Sequence, residues 1–216
     1  MIDPAEVADR VHEVREQITA AGGSHVQLVA VTKTFGLDAI TAAYEARCDG
    51  IGENYAQELS AKAEQGLPDI PVHFIGAVQS NKVKLVAPYV SLWHTIDRVS
   101  VVNELSKRVP GARILLQVNT TGESTKGGVL PADTEPLCIA AGEAGLQVEG
   151  LMTIGPTHGT EAEQEKAFRL LRALADDLHL QHCSMGMSDD FPVAVACGST
   201  IVRVGSRLFG ARTVNH

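Results

Sequence analysis

The chain has 216 residues, with 18 Lys and Arg against 26 Asp and Glu, a formal charge of −8, and a 44% hydrophobic content. That balance suits one soluble acidic domain over residues 1–216 and excludes a general nucleic-acid surface, which needs a broad basic face. No stretch approaches the roughly 20 apolar residues that span a bilayer, and the charged, periodic start MIDPAEVADRVHEVREQI is no secretory signal. Cys48, Cys138, Cys183 and Cys197 are scattered, with neither a CxxC pair nor a zinc spacing, so reduced thiols and a cytoplasmic location are expected.

Asp3 and Pro4 predict the start of a helix running to about Ala20, because Val7, Val11, Val14 and Ile18 recur at steps of three and four. Gly22 and Gly23 stop it. VQLVAV, 26–31, reads as a strand whose unbroken apolar character suits a parallel sheet covered on both faces. Helices over 37–47, 55–65, 80–87 and 98–108 lead in turn to DGIGEN, VHFIG, VSLWHT and ARILLQVN. Helices over 132–144, 161–179 and 189–197 lead to VEGLMTIG, LQHCSMG and TIVRVGS, and a turn around 206–210 closes the pattern. Strict alternation requires a parallel sheet, either doubly wound or closed as a (β/α)8 barrel. Short, even units favour the barrel, in a form more compact than the usual size of about 250 residues. A dinucleotide-binding open sheet would want GxGxxG after an early strand, and GIGEN at 50–54 has the wrong spacing.

The carboxyl ends of barrel strands converge on one mouth, where chemistry is placed. Here those ends carry Lys33, Glu53, Asn54, His73, His94, Asn119, Met152, Thr153, Ser184, Arg203, Gly205 and Ser206. An amine at the dry edge of a core has its pKa lowered by desolvation, further so beside Arg203, and a neutral amine attacks an aldehyde to form a Schiff base. The alternative for Lys33 is a side chain reaching out to solvent. Alternation in TIVRVGS sends Arg203 with Ile201 to one face and Val202 with Val204 to the other. Its guanidinium meets an anion, a ring acceptor, or an internal salt bridge to Glu53 or an aspartate. Gly205, Ser206 and Ser184 offer N–H and hydroxyl donors suited to a phosphate, or ordinary caps. Asn54 either donates to a ligand oxygen or caps the following helix. His73 and His94 read as bases, pocket walls or core-edge histidines, and without a third ligand they do not make a metal site. Asp189 and Asp190 are expected at the next helix N-terminus. Lys126 lies in NTTGESTKGG, 119–128, a segment read as flexible, so that it either folds over the mouth or stays solvated.

VAVTKTFG (29–36), GENYAQE (52–58), HFIGAVQSNK (73–82), HTIDR (94–98), QVNTTGESTKGG (117–128), GLMTIGP (150–156) and SMGMSDDFPVAVACGSTIVRVGSRLFG (184–210) together resemble the pyridoxal phosphate homeostasis protein family, the YggS and PROSC-like proteins. The resemblance implies a single (β/α)8 barrel of the alanine racemase N-terminal, fold-type III kind. It implies that Lys33 carries pyridoxal 5'-phosphate as an internal aldimine, that Arg203 faces the pyridine nitrogen, and that Ser184, Gly205 and Ser206 hold the phosphate. Asn54 and Met152 are placed near the ring by the same resemblance, and His73 near the mouth. It further implies a carrier without established turnover and without catalytic or metal-binding residues, which buffers the cofactor and delivers it to apo enzymes, with Lys126 assisting transfer.

An arginine opposite the pyridine nitrogen weakens the ring as an electron sink. A racemase also needs acid and base groups on both faces, one of them from a second, β-rich domain, and with the sequence ending at His216 that domain is expected to be absent. A small fold-type III racemase is the runner-up function, and a phosphate-binding barrel without pyridoxal chemistry the next. Many relatives follow the aldimine lysine motif with a further lysine and a proline; Phe35 and Gly36 stand here instead, so no role passes to that extra lysine. A monomer is expected.

Overall fold

The computed structural model describes residues 2–79 and 81–210. The first helix, α1 (Pro4–Ala20), begins where Asp3 accepts a hydrogen bond from the Ala5 N–H at 2.9 Å, which satisfies one of the donors a helix start leaves open. Its buried stripe is Val7, Val11, Val14 and Ile18, as the spacing requires, and packs on the outer helices. Gly22, at φ 92°, takes the left-handed conformation that ends it.

Beyond it the units alternate: β1 (Gln27–Val31), α2 (Leu37–Glu45), β2 (Gly50–Glu53), α3 (Ala56–Glu64), β3 (Val72–Phe74), α4 (Val83–Val86), β4 (Leu92–Ile96), α5 (Val99–Arg108) and β5 (Arg113–Gln117). A 3-10 turn (Pro131–Asp133) then leads into α6 (Thr134–Glu143), β6 (Gln147–Met152), α7 (Glu161–Asp177), β7 (His182–Ser184), α8 (Phe191–Ala196), β8 (Ile201–Val204) and α9 (Ser206–Phe209). The strands form a closed barrel in chain order, parallel throughout, with β8 pairing back onto β1. The barrel, not the open sheet, is therefore the fold. The helix expected over 80–87 is only the single turn of α4, and its expected first residue, Ser80, lies outside the described residues. α8 starts later than expected, with Pro192 in its first turn, where a missing N–H costs no bond.

Strand alternation sorts side chains into two layers. Leu28, Ala30, Val202 and Val204 join the large core between strands and helices, whereas Val29, Leu92, Leu115, Met152 and Ile201 form a small apolar plug inside the barrel. Each of these buried side chains larger than alanine contributes about 1.5–3 kcal/mol. The rest of the interior is polar: His73, His94, Ser184 and Arg203 are all buried there. β2 makes room for them, because a Cβ on Gly50 would come within 3.2 Å of His73 Nε2. Among the described residues no helix is long and apolar enough to cross a membrane.

Candidate functional site

Three neighbouring strands bring the expected mouth residues together. Ala30 pairs with Val204 and Val31 with Gly52, so β8, β1 and β2 end side by side. Gly205 packs so closely on β1 that a Cβ would lie 3.2 Å from Val31 Cβ. Half-buried Lys33 follows β1, Asn54 follows β2, and Gly205 and Ser206 follow β8, all at the carboxyl end of the barrel. Asn54 does not cap α3, whose N-cap is Tyr55 with no side-chain bond. Its Oδ1 is buried with no hydrogen-bond partner among the described residues, which leaves a buried acceptor unsatisfied at the end of β2.

Arg203 lies beneath this rim. It donates through Nη1 to Ser184 Oγ at 2.6 Å and through Nη2 to the Thr153 carbonyl at 2.9 Å. Neither the salt bridge to Glu53 nor one to an aspartate forms among the described residues. Burial pulls its pKa down to about 10, partly offset by Asp190, which still leaves a cation at neutral pH. Ser184 Oγ also meets His94 Nδ1 at 3.1 Å, and His94 Nε2 meets His73 Nδ1 at 3.0 Å. The result is a buried chain, Arg203, Ser184, His94, His73, running down the barrel axis. Burial drives both imidazole pKa values down, His73 to about 4 and His94 well below the ordinary value. Both rings are neutral at pH 7, so in each contact one partner carries the proton and the other accepts it.

This chain corrects two placements. His73, expected at the mouth, sits at the opposite end, where with Gln27, Asp49, Arg113, Glu149 and His182 it lines a cavity of about 110 Å³ among the amino-terminal strand ends. Ser184, expected among the donors to a phosphate, is fully buried between His94 and Arg203. The hydroxyl beside Gly205 belongs to Ser188, whose Oγ accepts from the Gly205 N–H at 3.3 Å. The sequence reading names Ser184 and passes over Ser188; only the turn after β7 brings Ser188 to Gly205. Met152 caps the interior plug at the end of β6, opposite Ser184. Asp190 does not cap α8 through its side chain but turns back to accept from the Met187 N–H at 2.6 Å.

Two further features were not visible in the residue pattern. Glu53 points away from the mouth into the layer under α3, where Lys62 Nζ lies 2.6 Å from its Oε1. The 119–128 segment is also pinned rather than flexible. Asn119 Nδ2 donates to the Glu123 carbonyl at 2.9 Å, and Lys126 Nζ pairs with Glu123 at 2.6 Å and donates to the Gly155 carbonyl. The Lys126 and Thr157 donors hold the Glu123 carboxyl down to about pKa 2, so the pair persists across the physiological range.

The donor set can be tested against a phosphate-bearing aromatic aldehyde. It offers an amine at Lys33, a buried guanidinium below it, the Gly205 N–H paired among the described residues only with the Ser188 hydroxyl, and the unpartnered Asn54 acceptor, so the residues fit such a group. Among the described residues no group of His, Cys, Asp and Glu could hold a metal ion.

A family model described as "Alanine racemase, N-terminal domain" matches residues 2–213. The chain is 40% identical to the pyridoxal phosphate homeostasis protein of Pseudomonas aeruginosa over 96% of its own length and 94% of that protein. A solved structure of PipY from Synechococcus elongatus with PLP bound superposes with a TM-score of 0.83 at 34% identity, covering 94% of this chain and all of that chain. Alanine racemase from Corynebacterium glutamicum, at 16% identity and TM-score 0.77, shares the fold over 63% of its length. The chain thus belongs to the pyridoxal phosphate homeostasis protein family, built on the alanine racemase N-terminal barrel.

Proposed function

We propose that the protein, as one barrel domain in the cytoplasm, holds pyridoxal 5'-phosphate reversibly at the mouth and releases it to apo enzymes, without turnover of its own. The observation that carries this reading is the side-by-side exit of β8 and β1, which sets the Lys33 turn against Gly205 with Arg203 buried below. When bound, the cofactor supplies an aldehyde that a primary amine captures reversibly. Lys33 is the amine that would hold it. The Gly205 and Ser206 backbone with the Ser188 hydroxyl would take the phosphate, and Asn54 and Met152 would flank the ring. Arg203 has five N–H donors and no acceptor, so it can only donate to a ring nitrogen and keeps that nitrogen unprotonated. This favours storage over carbanion chemistry, for which a carboxylate partner would be the better choice. Ser184 supports Arg203 rather than the phosphate, and His73 serves the far end of the barrel.

Lys126 is committed to Glu123 and Gly155, so its part is to hold the loop after β5 in place. Equilibrium dialysis and absorbance titration with pyridoxal phosphate test the reading. The wild type should show a saturable imine band that Lys33→Ala abolishes, and mixing with an apo enzyme should transfer the cofactor. Turnover of L- or D-alanine that depends on Lys33 would overturn the carrier reading in favour of a racemase.

A further inference from the structure

α3 reaches the Lys33 turn through a cluster in which neither composition nor spacing assigned a role to Lys62 or Glu58. Lys62 Nζ has three hydrogens, and each is used: on the Thr32 carbonyl at 3.0 Å, on Glu53 Oε1 at 2.6 Å and on Glu58 Oε1 at 2.6 Å. Glu53 Oε1 in turn accepts from Thr32 Oγ1 at 2.7 Å, and Glu58 Oε1 accepts from the Thr34 N–H at 2.6 Å. Both chain neighbours of Lys33 are therefore gripped by the same three charged side chains. The grip has a conformational correlate. Thr34 sits at φ 69°, a left-handed backbone that a β-branched residue adopts only when its surroundings impose it.

From this geometry we infer that Lys62, with Glu58 and Glu53, is a positioning device for Lys33, setting where its amine stands at the mouth. The inference rests on the reading of Lys33 as the attachment point and extends it to side chains that touch no ligand. Lys62 is buried on the far side of the turn from the barrel interior, with its side chain 5% exposed, and cannot itself present an amine to the mouth. Its effect passes through backbone atoms of Thr32 and Thr34. A misplacement of about 1 Å at a reacting group costs as much as 100-fold in rate, so a clamp of this kind has a large lever on capture.

The test uses Lys62→Met and Glu58→Ala in the full chain. Glu58 is only half-buried, so its variant folds if loss of the buried Lys62 cation prevents the first from doing so. In the protein without cofactor, trace labelling with acetic anhydride reports each lysine's reactivity by peptide mass. Lys33 reactivity should change about threefold or more relative to Lys166, while borohydride-trapped capture of pyridoxal phosphate at residue 33 slows about tenfold. A merely structural role would lower the melting temperature and leave both rates unchanged in the folded variant, and that result overturns the inference. If the wild type trapped no cofactor at Lys33 the proposed function would fall, yet the labelling rates would still decide whether Lys62 sets the amine.

Discussion

Two buried polar networks meet at this mouth, and they handle charge in opposite ways. Inside the barrel, Arg203, Ser184, His94 and His73 are joined with one cation, no carboxylate and two neutral rings. Under α3, by contrast, Lys62 sits between two carboxylates and the chain on either side of Lys33. An unpaired buried cation keeps donors ready for a ligand, whereas a paired one uses all of its donors to hold the backbone. The first network suits binding and the second suits positioning.

The largest expected effect falls on the outer network. Lys62→Met leaves Glu53 buried without its cation, and urea unfolding should show a loss of about 3–5 kcal/mol. Uptake of a proton by Glu53, whose carboxyl burial already pushes upward, would moderate the loss at low pH. A loss below about 1 kcal/mol at pH 8 would mean the cluster is not the charged clamp described.

The inner network should instead show itself through pH. Burial lowers His73 from its ordinary 6.5 to about 4, so between those values the unfolded chain binds more protons than the folded one. Stability is thus complete above pH 6.5 and declines as the pH falls toward 4, by about 3 kcal/mol for this ring alone. His73→Gln should flatten that part of the profile in urea titrations at successive pH values; an unchanged slope would place the ring in solvent.

A smaller effect separates the two serines. Ser188→Ala should weaken binding of pyridoxal phosphate about tenfold with little change in stability, by loss of one hydrogen bond to a charged group. Ser184→Ala should do the reverse, destabilising the fold by leaving Arg203 and His94 short of a partner. Exchange of these outcomes would show that Ser184 faces the phosphate after all. The smallest effect is at Thr34→Gly, where relief of the left-handed strain offsets the lost restriction of the unfolded chain and moves stability by under about 1 kcal/mol.

The contrast also explains what could be read from residues alone. Val7, Val11, Val14 and Ile18 announced α1 because a helix on a core repeats its apolar positions, and the alternation of Ile201, Val202, Arg203 and Val204 put Arg203 on the face of Ile201, which the structure shows to be the barrel interior. Glu53 was misjudged because β2 is short and its inward positions, Gly50 and Gly52, carry no side chain that marks the phase. Lys62 looks like any helix lysine four residues from a glutamate; only closure of β1 against β2 shows that it is buried. The 119–128 loop looked mobile for a similar reason, since glycine content is visible in sequence while the Asn119 and Lys126 bonds that pin it are not.

The most direct measurement is peptide mass mapping of the protein after incubation with pyridoxal phosphate and reduction with borohydride. One reduced pyridoxyl adduct is expected, on Lys33, absent from Lys33→Ala. A principal adduct on Lys126 or another lysine, or none at saturating cofactor, would contradict it.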